Sequence, residues 1–584
     1  MQIKLKQRQQ QWLESERGTI RKVRGARFRI ALAFPNRYSV GMSNLGFQFV
    51  YEALNGLDDV VCERVFYPEP EDLALLQRHP GELITVESQR PVRDFDLLAF
   101  SISFENDYSH VVEMLAMAGI PPRAANRSSG HPLVAAGGVA VFLNPEPLAP
   151  FMDFEFIGEA EALLPDFIDA WAEFQGEKTP REEFLKALAA AVGGIYVPSL
   201  FEVSHFPDGA LEKIAPRAGT GIPEKVACRR ADLRAGLPCR SVIFTPNTEF
   251  ANVMLLEIGR GCGRGCRFCA AGYVYRPLRY HAAGKLIEAA SLRIPSISRL
   301  GLVSAAVSDH PEISFLCRSL LDMGGSLSFS SLRADTIDPE IVSALRESGH
   351  QAVAIAPEAG SERLRLAINK DITEDDVFHA AELLTEAGIL HLKLYFMIGL
   401  PTETMEDLEA IVDMVKRIKH HVLKISRGRR TMGTITLSIH SFIPKPVTPF
   451  QWVPFAGVKD LKERARWIGR ALGKVSNVRV HFDLPKWAYV QALLARGDRR
   501  VALFLEKVAL DGMSWTQAMR TVPFNPDFWV LRERGESEVF PWEVIDHGVK
   551  RSYLREEYQR ALRGEKSLPC RPDENCTRCG ACGP

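Results

Sequence analysis

The stretch "EIGRGCGRGCRFCAAG", from Glu257 to Gly272, sets Cys262, Cys266 and Cys269 in a CxxxCxxC spacing among glycines and arginines. Thiolates gathered this densely are soft ligands that select iron–sulfur clusters, zinc or copper(I). A four-cysteine zinc knuckle brings two CxxC pairs; this loop offers three thiols and no histidine. Three thiolates on a four-iron cubane leave one iron open, and an open metal position is what a reactive site requires. The glycines let the backbone fold tightly, and Arg260, Arg264 and Arg267 are expected to offset the thiolate charge. The competing reading is three structural cysteines that bind nothing.

Working outward, the loop follows an apolar run, "NVMLLEIG", the first of six strand-then-helix units that extend to about residue 445. The other strands are "SRLGLVSAA", "SLSFSSL", "QAVAIAPEA", "LKLYFMIGLP" and "TITLSIHSF". Six successive units predict a partial barrel, in which reactive residues gather at the C-terminal ends of the strands. The cysteines follow the first strand, Glu358 the fourth, and Gly399-Leu400-Pro401 the fifth. Upstream, "FRIALAF", "DLLAFSI", "PLVAAGG" and "FMDFEF" alternate with helical patterns, which predicts a parallel sheet covered on both faces. Prolines punctuate a connecting region, and beyond about residue 460 the pattern is mostly helical. The expected organisation is an extension (1–25), a sheet domain (26–175), a connection (176–245), the barrel (246–455) and a helical region with a cysteine-rich tail (456–584).

The chain has 584 residues, and its 72 Lys plus Arg balance 72 Asp plus Glu, so bulk charge does not argue for a nucleic-acid coat protein. No apolar run approaches the roughly 20 residues of a membrane span, and the N-terminus lacks a signal-peptide apolar region, so the reading is cytoplasmic. Four of the 11 cysteines, Cys62, Cys228, Cys239 and Cys317, are scattered and expected to be small buried hydrophobes. The tail cysteines Cys570, Cys576, Cys579 and Cys582 have a Cx5Cx2Cx2C spacing. They are expected to hold a second iron–sulfur cluster or zinc, the other reading being a mobile tail with reactive thiols. Lys416, Arg417, Lys419, Lys424, Arg427, Arg429 and Arg430 form a basic stretch with no acid, either a grip for RNA or a solvated helix end.

With Phe268 just before the third cysteine and the loop after the first strand of a βα barrel, residues 250–450 resemble the radical S-adenosylmethionine superfamily. The resemblance implies a [4Fe–4S] cluster on Cys262, Cys266 and Cys269 whose open iron binds S-adenosylmethionine. It also implies reductive cleavage to a 5′-deoxyadenosyl radical, with electrons from a cellular reductant such as flavodoxin or ferredoxin. "YFMIGLPTET" (395–404) is similar to a family motif around Gly399 and Pro401, with Thr402 where glycine is common. "APEAGSERLRLAINK" (356–370) resembles the segment that places Glu358 near the methionine or ribose part of the cofactor, and "SFIPKPVTPFQW" (441–452) resembles a stretch of the larger members. The family's Gly-Gly-Glu motif is absent, and "SAAVSD" (304–309) stands there, which leaves the cofactor amine to Ser304 or to backbone carbonyls. Arg333 is expected either to pair the cofactor carboxylate or to be a structural arginine.

"PLVAAGGVAVFLNPEPLAPFMDFEFIGEAE" (132–161) resembles the cobalamin-binding-like domain that precedes the barrel in one large subgroup. Members that bind cobalt through histidine use DxHxxG after the first strand; here Asn36, Tyr38 and Gly41 stand at those positions. Cobalamin binding without that histidine, and a retained Rossmann-like scaffold, both stay open. The fold class expected is therefore α/β: a Rossmann-like parallel-sheet domain, a partial (β/α)6 barrel and a mostly helical C-terminal region. The function expected is a radical enzyme whose substrate the sequence does not name, RNA or an RNA-associated protein being favoured by the basic stretch. The alternatives are a non-catalytic iron–sulfur redox or oxygen sensor, or an RNA-binding scaffold with a degenerate barrel.

Overall fold

Strands apolar on both faces build the N-terminal sheet, as a sheet covered by helices on each side requires. They are β1 (Phe28–Phe34), β2 (Val60–Phe66), β3 (Leu97–Ser101), β4 (Leu133–Gly137) and β5 (Phe154–Phe156), closed by an antiparallel β6 (Ile195–Tyr196). The computed structural model describes residues 2–22, 27–174, 179–292, 297–426, 433–571 and 576–582. The strand order is β2-β1-β3-β4-β5-β6, parallel through β5. The chain moves from β1 outward to β2 and returns to the other side at β3. That places a topological switch point at the C-terminal ends of β1 and β3.

The expected strands are present, and β2 is an addition. Its sequence, "VVCERVF", is interrupted by Glu63 and Arg64, which mask its apolar character. Both are buried, and Arg64 pairs with Glu16 at 2.7 Å and Glu87 at 2.6 Å. Trp12 of the N-terminal helix Gln2–Ser15 stacks on Tyr38 at 4.2 Å, so the extension is packed onto the sheet.

The second sheet is formed by β7 (Val253–Glu257), β8 (Arg299–Val303), β9 (Ser326–Phe329), β10 (Ala352–Glu358), β11 (His391–Ile398), β12 (Ile435–Ser441) and β13 (Val478–Phe482). It runs as two parallel ladders, β7-β8-β9 and β10-β11-β12-β13, joined through a parallel bridge between Leu332 and Ile355. The six strands read from the sequence are these first six. The seventh carries the sheet on past residue 455, to Phe482. Its short, half-exposed "VRVHF" has too little apolar character to stand out after the amphipathic helix Val458–Leu472.

The helical C-terminal region folds back over both sheets. Arg123 pairs with Glu506 at 2.6 Å, Arg499 with Glu146 at 2.8 Å, and Val226 pairs in parallel with Ile545. One apolar core runs through both sheets into these helices, and a smaller one lies beneath β7–β9 around Met254, Leu300 and Leu316. Cys62, Cys239 and Cys317 are buried and Cys228 is half-buried. Among the described residues no helix is long and apolar enough to cross a membrane.

In the basic stretch, Arg417 pairs with Glu374 at 2.6 Å and Lys419 donates to Ser476 at 2.9 Å. Arg427, Arg429 and Arg430 lie outside the described residues.

Arg64 makes the clearest stability prediction. Its removal strands Glu16 and Glu87 in the interior without a counter-charge. Arg64→Ala is expected to cost about 3–5 kcal/mol, read as a lower urea midpoint for the unfolding of the N-terminal sheet.

Candidate active site

The cysteine loop leaves the C-terminal end of β7 and is closed at its base by an antiparallel pairing of Gly259–Arg260 with Arg279–Tyr280. Gly265 takes φ = 72°, a left-handed conformation that side chains disfavour, at the point where the chain turns between the first two cysteines. The turn is clamped from outside. Asn369 donates through Nδ2 to the carbonyls of Arg264 (3.3 Å) and Gly265 (3.1 Å), and Tyr273 donates its hydroxyl to Gly265 at 3.1 Å. The Arg267 amide donates to the Ile368 carbonyl at 2.9 Å. Asn369 Oδ1 in turn accepts from the Ser567 amide at 2.9 Å, so the C-terminal segment takes part in the same clamp.

Cys266 is buried and its two partners are half-buried. Burial, and then the neighbouring Cys266 and Cys262 sulfurs, push the Cys269 thiol up to about 12; burial and Cys266 also raise Cys262. Three thiolates can coexist at this spacing only around a positive centre. Among the described residues no three His, Cys, Asp or Glu side chains converge tightly enough to hold one metal ion. Three thiols gathered on one loop are the soft donor set that an iron–sulfur cluster takes.

The three loop arginines are engaged chiefly by carboxylates and carbonyls, and Arg264 also interacts with the Cys262 sulfur. Arg260 pairs with Glu257 (2.6 Å), Glu161 (2.8 Å) and Glu159 (3.0 Å), and Arg264 spans Asp309 (2.5 Å) and Asp335 (3.0 Å). Arg267, fully buried, donates to the carbonyls of Leu366, Ala367 and Glu565, to Ser567 Oγ, and to Glu557 at 3.2 Å. Carboxylates balance most of this positive charge and so hold the loop's shape, while Arg264 is also stabilised by the Cys262 sulfur.

Arg333 and Lys370 also bring positive charge toward sulfur, at Cys266. Burial opposes the charge on Arg333, but Cys266 and Asp335 outweigh it; burial opposes the charge on Lys370, but Glu358 and Cys266 outweigh it. Arg333 donates to Asp335 at 2.9 Å and to the Lys370 carbonyl at 2.9 Å, and Lys370 Nζ lies 3.1 Å from Glu358. Glu358 ends β10 at a register irregularity with φ = 69°. Arg333, Glu358 and the cysteines thus come together. Lys370 and Asn369 join them although neither was assigned from the sequence; the signal was present, since both close the quoted segment 356–370.

Ser304 lies one residue past the end of β8, its Oγ accepting from the Ala306 amide at 3.5 Å. Phe268 is half-buried against the main apolar core. Gly399 and Leu400 donate their amides to Glu403 at 2.9 and 3.2 Å, and a Cβ on Gly399 would stand 2.8 Å from Leu461. The Gly399–Pro401 turn is therefore knitted to the helix Val458–Leu472 rather than to the loop. In "SAAVSD", the acid Asp309 is engaged by Arg264.

A cavity of about 430 Å³ lies at the switch point of the N-terminal sheet. Ala99, Gly138, Phe142 and Phe167 supply its apolar wall, and Glu257, Arg260 and Val303 bring it to the mouth of the barrel. Asn36, Tyr38 and Gly41 do not line it. Tyr38 is buried with its hydroxyl donated to Glu16 at 2.6 Å, and Asn36 donates to Asp107 at 2.9 Å. The four tail cysteines lie behind the cysteine loop, where the Cys570 amide donates to the Gly263 carbonyl at 2.6 Å.

Residues 256–415 match the radical SAM superfamily, and residues 46–198 match the family described as radical SAM proteins, N-terminal. An uncharacterised protein of Methanocaldococcus jannaschii is 28% identical over 486 residues, which is 82% of this chain and 90% of that one. An uncharacterised methyltransferase of Pyrococcus horikoshii is 28% identical over 258 residues, 43% of this chain and 53% of that one. Among solved structures, the radical S-adenosylmethionine methyltransferase TsrM from Kitasatospora setae aligns with a TM-score of 0.45 at 14% identity, covering 74% of this chain and 76% of that one. The cobalamin-dependent radical enzyme OxsB aligns with a TM-score of 0.44 at 14% identity, covering 67% and 52%.

The clamp on the loop is open to test. Asn369→Ala frees the Arg264 and Gly265 carbonyls and strands the Ser567 amide. After anaerobic reconstitution, its iron is expected to pass to a chelator about tenfold faster than that of the unaltered protein, with the helical circular dichroism unchanged. Equal rates for the two proteins would show that Asn369 does not hold the loop.

Proposed function

We propose that this chain, which belongs to the radical S-adenosylmethionine superfamily, holds a [4Fe–4S] cluster on Cys262, Cys266 and Cys269 and uses it to cleave S-adenosylmethionine. When bound, the cluster supplies the electron and the open iron that break the sulfonium bond, which yields methionine and a 5′-deoxyadenosyl radical able to take hydrogen from a substrate. The observation that carries this reading is the gathering of three thiols at the end of the first barrel strand, with Arg333 and Lys370 within electrostatic reach of Cys266 and Glu358 3.1 Å from Lys370.

The chain's own residues divide the remaining work. Arg333 and Lys370 bring positive charge to the place where a cofactor carboxylate would approach. Glu358, fixed by Lys370, presents a carboxylate to ribose hydroxyls, Ser304 and adjacent carbonyls receive the amine, and Phe268 packs beneath the loop. Gly399 and Pro401 shape the barrel edge through Glu403. An electron carrier alone needs no such polar cleft, which disfavours the sensor reading.

The switch-point cavity supports a further ligand of the cobalamin type, part of which would seat against its apolar wall. Tyr38 is committed to Glu16 and offers no ligand beneath a cobalt. Proteins named as methyltransferases are among the similar ones, which makes methyl transfer the first reaction to test. The reductant is proposed to be flavodoxin or ferredoxin, in the cytoplasm. An RNA substrate rests on the basic stretch alone, where Arg417 and Lys419 already have partners.

The deciding experiment is anaerobic reconstitution with iron and sulfide, followed by dithionite and S-adenosylmethionine. 5′-Deoxyadenosine is expected from the unaltered protein and none from Cys262→Ala. A fully loaded cluster without product would overturn the reading. S-adenosylhomocysteine formed only when cobalamin is present is the outcome expected for methyl transfer.

A further inference from the structure

We propose that Cys570, Cys576, Cys579 and Cys582 hold a second iron–sulfur cluster, seated directly behind the cysteine loop, that serves as its electron inlet. The inference rests on the reading of that loop as a cluster site.

The tail is anchored. Cys579 is buried and its carbonyl accepts from the Lys550 amide at 2.8 Å, while Lys550 Nζ donates to the Thr577 carbonyl at 3.1 Å. Arg578 donates to the Leu568 carbonyl and to Glu557, each at 3.2 Å. Within this frame Cys570, Cys576 and Cys579 line a cavity of about 410 Å³ together with Arg276, Arg571 and Tyr553. Cys582 lies within electrostatic reach of Cys570. A cavity of that size has room for a cluster among these thiols. Three arginines at the border, Arg276, Arg571 and Arg578, suit the net negative charge of a four-thiolate cluster.

Position gives the site its role. The Cys570 amide is bonded to the carbonyl of Gly263, the residue next to Cys262. A Cβ at Gly263 would stand 2.7 Å from the Cys570 carbonyl oxygen, so the two ligand segments touch where only glycine fits. On the other side Arg276, which is buried, donates to the Gly272 carbonyl at 2.6 Å, three residues beyond Cys269. Its guanidinium lies 4.7 Å from the Tyr273 ring and 5.2 Å from the Tyr553 ring, and it borders the tail cavity. One hydrogen bond and one buried cation thus connect the two cysteine sets. Leu568, at 74% exposure, and the exposed Arg571 border the tail cavity, which gives a donor access to it from solvent.

The step is a transfer of one electron. A reduced donor of the flavodoxin or ferredoxin class is oxidised by one electron, which passes through the tail cluster to the loop cluster. There it is consumed in breaking the carbon–sulfur bond of the sulfonium, and no proton moves with it.

The test uses the full chain, reconstituted anaerobically. About eight irons and no zinc are expected, falling to about four in Cys576→Ser and in Cys582→Ser, both half-buried positions, and to about four in Cys262→Ala. The reduced unaltered protein is expected to show electron paramagnetic resonance lines broadened by coupling between two clusters, and the tail variants sharp ones. With dithionite as reductant the tail variants are expected to form 5′-deoxyadenosine within about twofold of the unaltered rate, but with reduced flavodoxin at least about tenfold more slowly. Zinc or no metal in the tail, or tail variants as fast with flavodoxin as the unaltered protein, would overturn the inlet. If instead the radical reading were wrong, neither reductant would yield product from the unaltered protein, while Cys262→Ala would still hold its tail iron.

Discussion

A fully buried guanidinium has no water to turn to, and the surroundings of the cysteine loop are arranged by what Arg267 takes instead. It draws in the carbonyls of Leu366, Ala367 and Glu565, the hydroxyl of Ser567 and the carboxylate of Glu557. These come from two parts of the chain, the segment after β10 and the C-terminal region, and Arg267 ties both to the loop. An isolated buried charge is expensive, so each of those parts is obliged to be present for the others to fold. Asn369, flanked by the residues Arg267 binds, then clamps the loop backbone and the Ser567 amide together.

The same economy of charge joins the two sheets. Glu159, just past β5, pairs with Arg279 at 2.6 Å and with Arg260 at 3.0 Å, and Arg260 also holds Glu257 at the end of β7. The strand ends of the Rossmann-like sheet are thereby turned toward the strand ends of the barrel. Both are the ends at which such sheets bind ligands. The switch-point cavity opens onto the cysteine loop for this reason, and a ligand seated there would face whatever the loop holds. With the loop arginines engaged mainly by carboxylates, the positive charge near sulfur comes from Arg333, Lys370 and Arg264.

Much of the architecture was legible because its signals are local. Strand after strand announced itself by a short apolar run, and the cysteine spacing carried its chemistry on one loop. Where a strand was missed, its apolar character was diluted: Glu63 and Arg64 sit inside β2, and "VRVHF" is half exposed. At the site, the place of Glu358 was legible from its position after the fourth strand, whereas Arg333 was named only through the resemblance, with a structural role left open. The carboxylate partners of the loop arginines were not legible, because a cation's partner is chosen by what folds against it, and Arg267 and Glu557 are 290 residues apart.

The sequence by itself determined the order of α/β units, the three thiols after the first barrel strand and the four at the tail. Those depend on residue type and spacing along a continuous segment. Only the tertiary structure decided that Lys370 comes within electrostatic reach of Cys266, that Tyr38 is bound to Glu16, and that the tail's Cys570 meets Gly263. Each of these contacts joins segments distant in the chain, and their energies come from burial and charge pairing that exist only once the chain has folded.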